Sequence, residues 1–129
     1  MVMMTATHKT TRVVTTINGG LAWTEEPAPL NAAHIGISSL SCPTDSECWA
    51  AGDFQPTPNS GDVPLLLGTT NGGATWSKVT FSVPAGAPNF DHQSYISMGK
   101  ISCPTATVCV AWGAIAAGSP SAPVYSLRS

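Results

Sequence analysis

Thr69-Thr70-Asn71-Gly72-Gly73-Ala74-Thr75-Trp76 decides the fold, because the stretch occurs twice. The earlier copy, Thr16-Ile17-Asn18-Gly19-Gly20-Leu21-Ala22-Trp23, repeats its first Thr, the Asn, both Gly and the Trp at an offset of 76 − 23 = 53 residues. Asn-Gly between apolar runs is a strong short-range hairpin signal. Asn18 and Asn71 can accept hydrogen bonds from backbone N–H groups across such a turn. Asn and Gly both tolerate the positive φ it requires, so Gly20 and Gly73 are structural positions. Thr16, Thr69 and Thr75 offer hydroxyls to the same network. Trp23 and Trp76 are expected to open the strand that follows and to pack on the turn.

A second repeat lies downstream of each turn. Cys42-Pro43-Thr44-Asp45-Ser46-Glu47-Cys48 and Cys103-Pro104-Thr105-Ala106-Thr107-Val108-Cys109 share the pattern C-P-T-x-x-x-C at an offset of 103 − 42 = 61. The distance from Trp23 to Cys42 is 19 residues and from Trp76 to Cys103 is 27, so eight extra residues sit in the later connection. Four cysteines allow three pairings. Pairing within each motif is the economical one, because Pro and polar residues favour a tight turn between the thiols. Free core thiols are the other reading, and the spacing fits a zinc site poorly. A loop this short gains about 2 kcal/mol by chain entropy, and cystines imply an oxidising compartment.

The 12 Gly and 11 Pro, with abundant Thr, Val and Ser, read as short strands and many turns. Each unit is expected to be a four-stranded antiparallel sheet. Its first strand runs into the first cysteine, from 37 or 100. The second leaves the second cysteine, over 48–52 or 109–113. The third precedes the Asn-Gly-Gly turn, over 64–69 or 123–127, and the fourth follows it, over 75–81. The chain then divides into a partial unit at 12–35 holding third and fourth strands, a complete unit at 36–83, a connecting loop at 84–99, and a partial unit at 100–129 holding the first three strands.

The pattern Thr-x-Asn-x-Gly-x-Thr-Trp resembles the Asp-box, or BNR repeat, of sialidases, sortilin-type receptors and photosystem-assembly-factor-like proteins. Asn18 and Asn71 stand where that family usually has Asp, and Ala22 stands where Thr is expected. Ser41 to Gly52 is similar to repeats of secreted bacterial proteins. The resemblance covers about 13–127 and implies an all-β chain of about two β-propeller blades, an incomplete propeller. Closed propellers have four to eight blades. Further blades of the same protein, or self-association, are expected to complete it.

Charged residues make up 9% of the chain and the formal net charge is −2, which excludes a phosphate-neutralising patch and nucleic acid as partner. The longest nearly apolar run, 108–117, is too short to span a bilayer. The first residues, Met1-Val2-Met3-Met4-Thr5, do not form a secretory signal. Either an export signal lies upstream or there is none; the cysteines favour the first, so a secreted or extracytoplasmic setting is expected.

A sialidase-like activity would demand an arginine triad, a Tyr beside a Glu, and an Asp acid/base. The chain offers Arg12 and Arg128, Tyr95 and Tyr125 without acidic neighbours, and Glu25-Glu26 at a strand exit. His8, His34, in a loop before the first strand, and His92 share no ligand spacing, so no metal, cofactor or catalytic residue is expected. The stretch with a claim to binding is the insertion 84–95, where Phe90 and Tyr95 flank Asp91, His92 and Gln93 and could stack on a sugar or grip a peptide. The expected function is a non-catalytic module that binds protein or glycan. The alternatives are a glycosidase with its catalytic residues elsewhere, or an assembly factor.

Overall fold

The structure, a computed structural model, describes residues 1–7, 10–27, 29–80, 95–116 and 124–128, with side chains at 1–2, 11–27, 29–80 and 99–112. The described residues are all-β. They form β1 (Val2–Thr7), β2 (Thr10–Thr15), β3 (Thr24–Glu26), β4 (His34–Ser41), β5 (Cys48–Gln55), β6 (Val63–Thr69), β7 (Ser77–Lys78), β8 (Tyr95–Thr105), β9 (Val108–Ala116) and β10 (Val124–Arg128). Three antiparallel sheets result, in the orders β1-β2-β3, β4-β5-β6-β7 and β10-β9-β8, and none closes on itself. Among the described residues no helix is long and apolar enough to cross a membrane.

The sheets depart from the expected strands in several places, β5 and β9 among them, which run on to Gln55 and Ala116, past the expected ends at 52 and 113. The first sheet has a strand ahead of the two expected, because 2–7 pairs with β2 from Val2↔Thr15 to Thr7↔Thr10. His34 opens β4 and is not in a loop. Residues 95–99, expected in the connecting loop, belong to β8, which pairs with β9 from Tyr95↔Ala116 onward. The fourth strand of the middle sheet is reduced to Ser77 and Lys78, opposite Gly68 and Leu67, and Phe81 lies outside the described residues.

The middle sheet is buried on both faces, which is why Leu65-Leu66-Leu67 reads as a continuous apolar run and not as an alternation. Leu65 and Leu67 join Ile35, Ala50 and Phe54 on one face, with Leu30 and Ala32 packed against them. On this face Cys48 also meets Val2 and Val13 of the first sheet. On the other face Ala51 and Leu66 pack with Ile101, Cys103, Cys109 and Ala111 of the third sheet. The sheets thus stack face to face in chain order, and Cys48 and Cys109, at equivalent places, each pack against the sheet before.

Hydrogen bonds cross both interfaces. Thr11 Oγ1 donates to the Ile35 carbonyl at 2.6 Å. Ser39 Oγ accepts the Ile101 N–H at 3.1 Å, and Ser41 Oγ accepts the Cys103 N–H at 3.0 Å. The last two contacts share one sequence separation of 62, so β4 and β8 run side by side in the same direction. Each strand also carries a register shift four residues before its first cysteine, at Ser38 and at Gly99. An extra residue at the same place in two sheets is a built-in bend of the strand.

Candidate functional site

The stack has two unlike ends. At one end lie the cystines and the Asn-Gly-Gly turns. Cys42–Cys48 and Cys103–Cys109 are both disulfide-bonded, the first closing the hairpin between β4 and β5 and the second that between β8 and β9. The cystine loop and the turn of the middle sheet touch, the Gly72 N–H donating to the Ser46 carbonyl at 2.8 Å. Such pairs fit an extracellular location.

The two turns are built alike. Thr16 Oγ1 donates to Asn18 Oδ1 at 2.9 Å and accepts the Gly20 N–H at 3.0 Å. Thr69 Oγ1 donates to Asn71 Oδ1 at 2.9 Å and accepts the Gly73 N–H at 3.1 Å. Each Asn then accepts a backbone N–H four residues on, from Ala22 at 2.9 Å and from Thr75 at 3.0 Å. The positive φ falls on both glycines of each turn, at 70° and 91° in the first and 70° and 94° in the second. Neither Asn carries it, so the left-handed backbone that the sequence shared between Asn and Gly belongs to Gly alone.

The copies differ where their sequences differ. Asn71 Nδ2 donates to Thr75 Oγ1 at 2.7 Å, a bond that Ala22 denies to Asn18. Trp76 Nε1 donates to the Gly73 carbonyl at 3.0 Å and its ring reaches the core. Trp23 lies beside Gly20 and remains 39% exposed, so it caps the turn without anchoring it to a core. The Thr16 and Thr69 hydroxyls and the Asn18 and Asn71 amide oxygens are spent on the turns themselves, which makes the turns fold elements.

The opposite end holds the start of β4, the end of β5, the start of β6 and, by the side-by-side run of β4 and β8, the start of β8 at Tyr95. Of the expected binding residues, Phe90, Asp91 and His92 lie outside the described residues, and Tyr95 is described only as the first backbone position of β8.

At this end the register assembles a group that the sequence did not suggest. His34 pairs with Gln55 and Gly36 with Asp53, so His34 and Asp53, two steps apart along the ladder, share one face. Val63 pairs with Phe54, and the residue before it, Asp62, falls on that same face. Ligand atoms of His34, Asp53 and Asp62 lie within 4.8 Å of one another, and all three side chains are half-buried. Burial and then the neighbouring Asp62 carboxylate push the Asp53 carboxyl above its ordinary range, while His34 pulls it back. The cluster was missed because its members stand 19 and 9 residues apart (53 − 34 and 62 − 53), which is no motif. Strand register joins them.

The chain matches no family model and no curated protein.

What the two ends can do follows from their geometry. At the cystine end the Thr hydroxyls and Asn amide oxygens are engaged within the turns. A shallow groove there, lined by Met1, Val2, Leu40 and the 42–45 loop, is shaped by packing. The other end gathers an imidazole, two carboxylates and the first position of β8.

Proposed function

We propose that the chain is a non-catalytic, exported binding module built from β-propeller-like blades, with its ligand face at the end that carries His34, Asp53, Asp62 and the start of β8. The supporting observation is the like-for-like construction of the two Asn-Gly-Gly turns on successive sheets that stack face to face with equivalent contacts. This is the behaviour expected of Asp-box repeats, with Asn18 and Asn71 in the place of Asp. The two cystines favour a secreted or extracytoplasmic setting. The outward face of the third sheet, where Val108 is 45% and Trp112 37% exposed, is the surface that a further blade or a second copy would cover.

The reading of the ligand as a protein or glycan rests on Phe90 and Tyr95 beside Asp91 and His92, groups suited to stacking on a sugar or gripping a peptide. Binding of the intact chain to arrayed glycans and immobilised extended peptides tests it. Binding that drops on replacing Phe90 and Tyr95 with Ala supports this face, and unchanged binding moves the ligand elsewhere. Turnover of a fluorogenic sialoside by the chain would overturn the non-catalytic reading.

A further inference from the structure

We infer that His34, Asp53 and Asp62 form a binding site for a divalent transition ion of the zinc type. The three come from three segments of the chain, the first residue of β4, the sixth of β5 and the residue preceding β6, and they meet on one face at one end of the middle sheet. Their ligand atoms already lie within 4.8 Å of one another. Zinc held at about 2.1 Å by nitrogen and oxygen ligands sets them about 3–4 Å apart, so small side-chain rotations close the site.

Two further observations point to a cation. Among the described residues, none of the three side chains makes a hydrogen bond or ion pair, although all are half-buried; two carboxylates and an imidazole face one another without a shared partner. The backbone beneath them is also cleared. Gly36 pairs with Asp53 across β4 and β5, and a Cβ at Gly36 would stand 3.3 Å from Asp53 Oδ1 and 3.4 Å from Oδ2. That is tighter than ordinary contact, so a larger residue would require the Asp53 carboxylate to give way by a few tenths of an ångström.

The donor set selects the ion. Calcium takes six to eight oxygens and gains nothing from an imidazole, whereas zinc and its neighbours accept mixed nitrogen and oxygen ligands and use three protein ligands with water in the fourth place. A bound ion would tie the start of β4 to the end of β5 and to the loop that leads into β6. It would fix the rim of the face assigned above to ligand binding, but the site stands on its own geometry and does not depend on that assignment.

The test is calorimetric titration of zinc chloride into the intact, oxidised chain at neutral pH, repeated with cobalt chloride to read the coordination spectrum. The variants are His34→Ala, Asp53→Asn and Asp62→Asn, with His8→Ala/His92→Ala as a control for other histidines. One zinc per chain is expected, weakened in each single variant by more than about tenfold, the factor that even an outer-shell partner contributes, and unchanged in the control. Asp62 precedes its strand, so its variant keeps the test valid should His34→Ala disturb β4. Absence of zinc binding, binding that survives Asp62→Asn and Asp53→Asn, or calcium binding as tight as zinc binding would each overturn the assignment.

Discussion

Ser41 Oγ accepts the Cys103 N–H at 3.0 Å, so the last residue of β4, next to one cystine, holds the first cysteine of the other. Replacing Ser41 with Ala leaves a buried amide without its acceptor, at a cost of about 1–3 kcal/mol. Ser102 occupies the same place ahead of Cys103 and is exposed. Its replacement by Ala should change stability by no more than about 0.5 kcal/mol. Urea unfolding of the two variants gives the comparison, and equal losses would contradict the packing of the third sheet on the second.

The two turns make a matched experiment. Thr69 is buried, and its hydroxyl both donates to Asn71 and accepts from Gly73. Thr69→Val keeps the shape and strands both partners, for an expected loss of about 1–3 kcal/mol. Ala22→Thr should do the reverse in the first turn by supplying Asn18 with the bond that Thr75 gives Asn71. A gain of about 0.5 kcal/mol is expected at this exposed position, read from the same unfolding curves. A loss on Ala22→Thr would show that the turns are not equivalent.

Each cystine closes a seven-residue loop, from 42 to 48 and from 103 to 109. Reduction should lower stability by about 2 kcal/mol per cystine through the freed unfolded chain. Intact mass before and after alkylation without reductant should show no modified thiol. Labelled cysteine in the native, unreduced protein would remove the case for an oxidising compartment.

Asp53 gives a pH signature in chelator-treated protein. Its carboxyl is raised by burial and by Asp62. Between the ordinary aspartate value of about 3.9 and the raised folded value, the folded chain keeps a proton that the unfolded chain has released. Stability contributed by this group is therefore present at low pH and falls as pH rises through that window. Asp53→Asn removes the term, so the pH dependence of the thermal midpoint over that range should flatten. A steeper dependence in the variant would contradict the stated origin of the shift.

Much of the architecture is legible in the sequence because its decisive signals are local. The doubled Asn-Gly-Gly-x-x-Trp and C-P-T-x-x-x-C fix two kinds of turn, and the turns fix the neighbouring strands. β1 was not legible because Met1 to Thr7 has no turn residue on its near side and gains its strand only by pairing with β2. The extra residue at Ser38 leaves no local mark, although Gly99 inside a strand is the kind of residue that accompanies one. His34, Asp53 and Asp62 were illegible for a different reason. Each is an ordinary polar residue near a loop, and only the ladder pairings His34↔Gln55 and Gly36↔Asp53, with Val63↔Phe54, bring them to one face.

Like sheets stack through repeated contacts, and the exposed Trp112 and Val108 are where we propose that a further sheet would pack. Sedimentation velocity across a concentration range, on the intact oxidised chain and on Trp112→Asp, tests it most directly. Concentration-dependent association that Trp112→Asp weakens is the predicted result. A monodisperse species at the mass of one chain, unfolding in a single cooperative step and indifferent to Trp112→Asp, would contradict it.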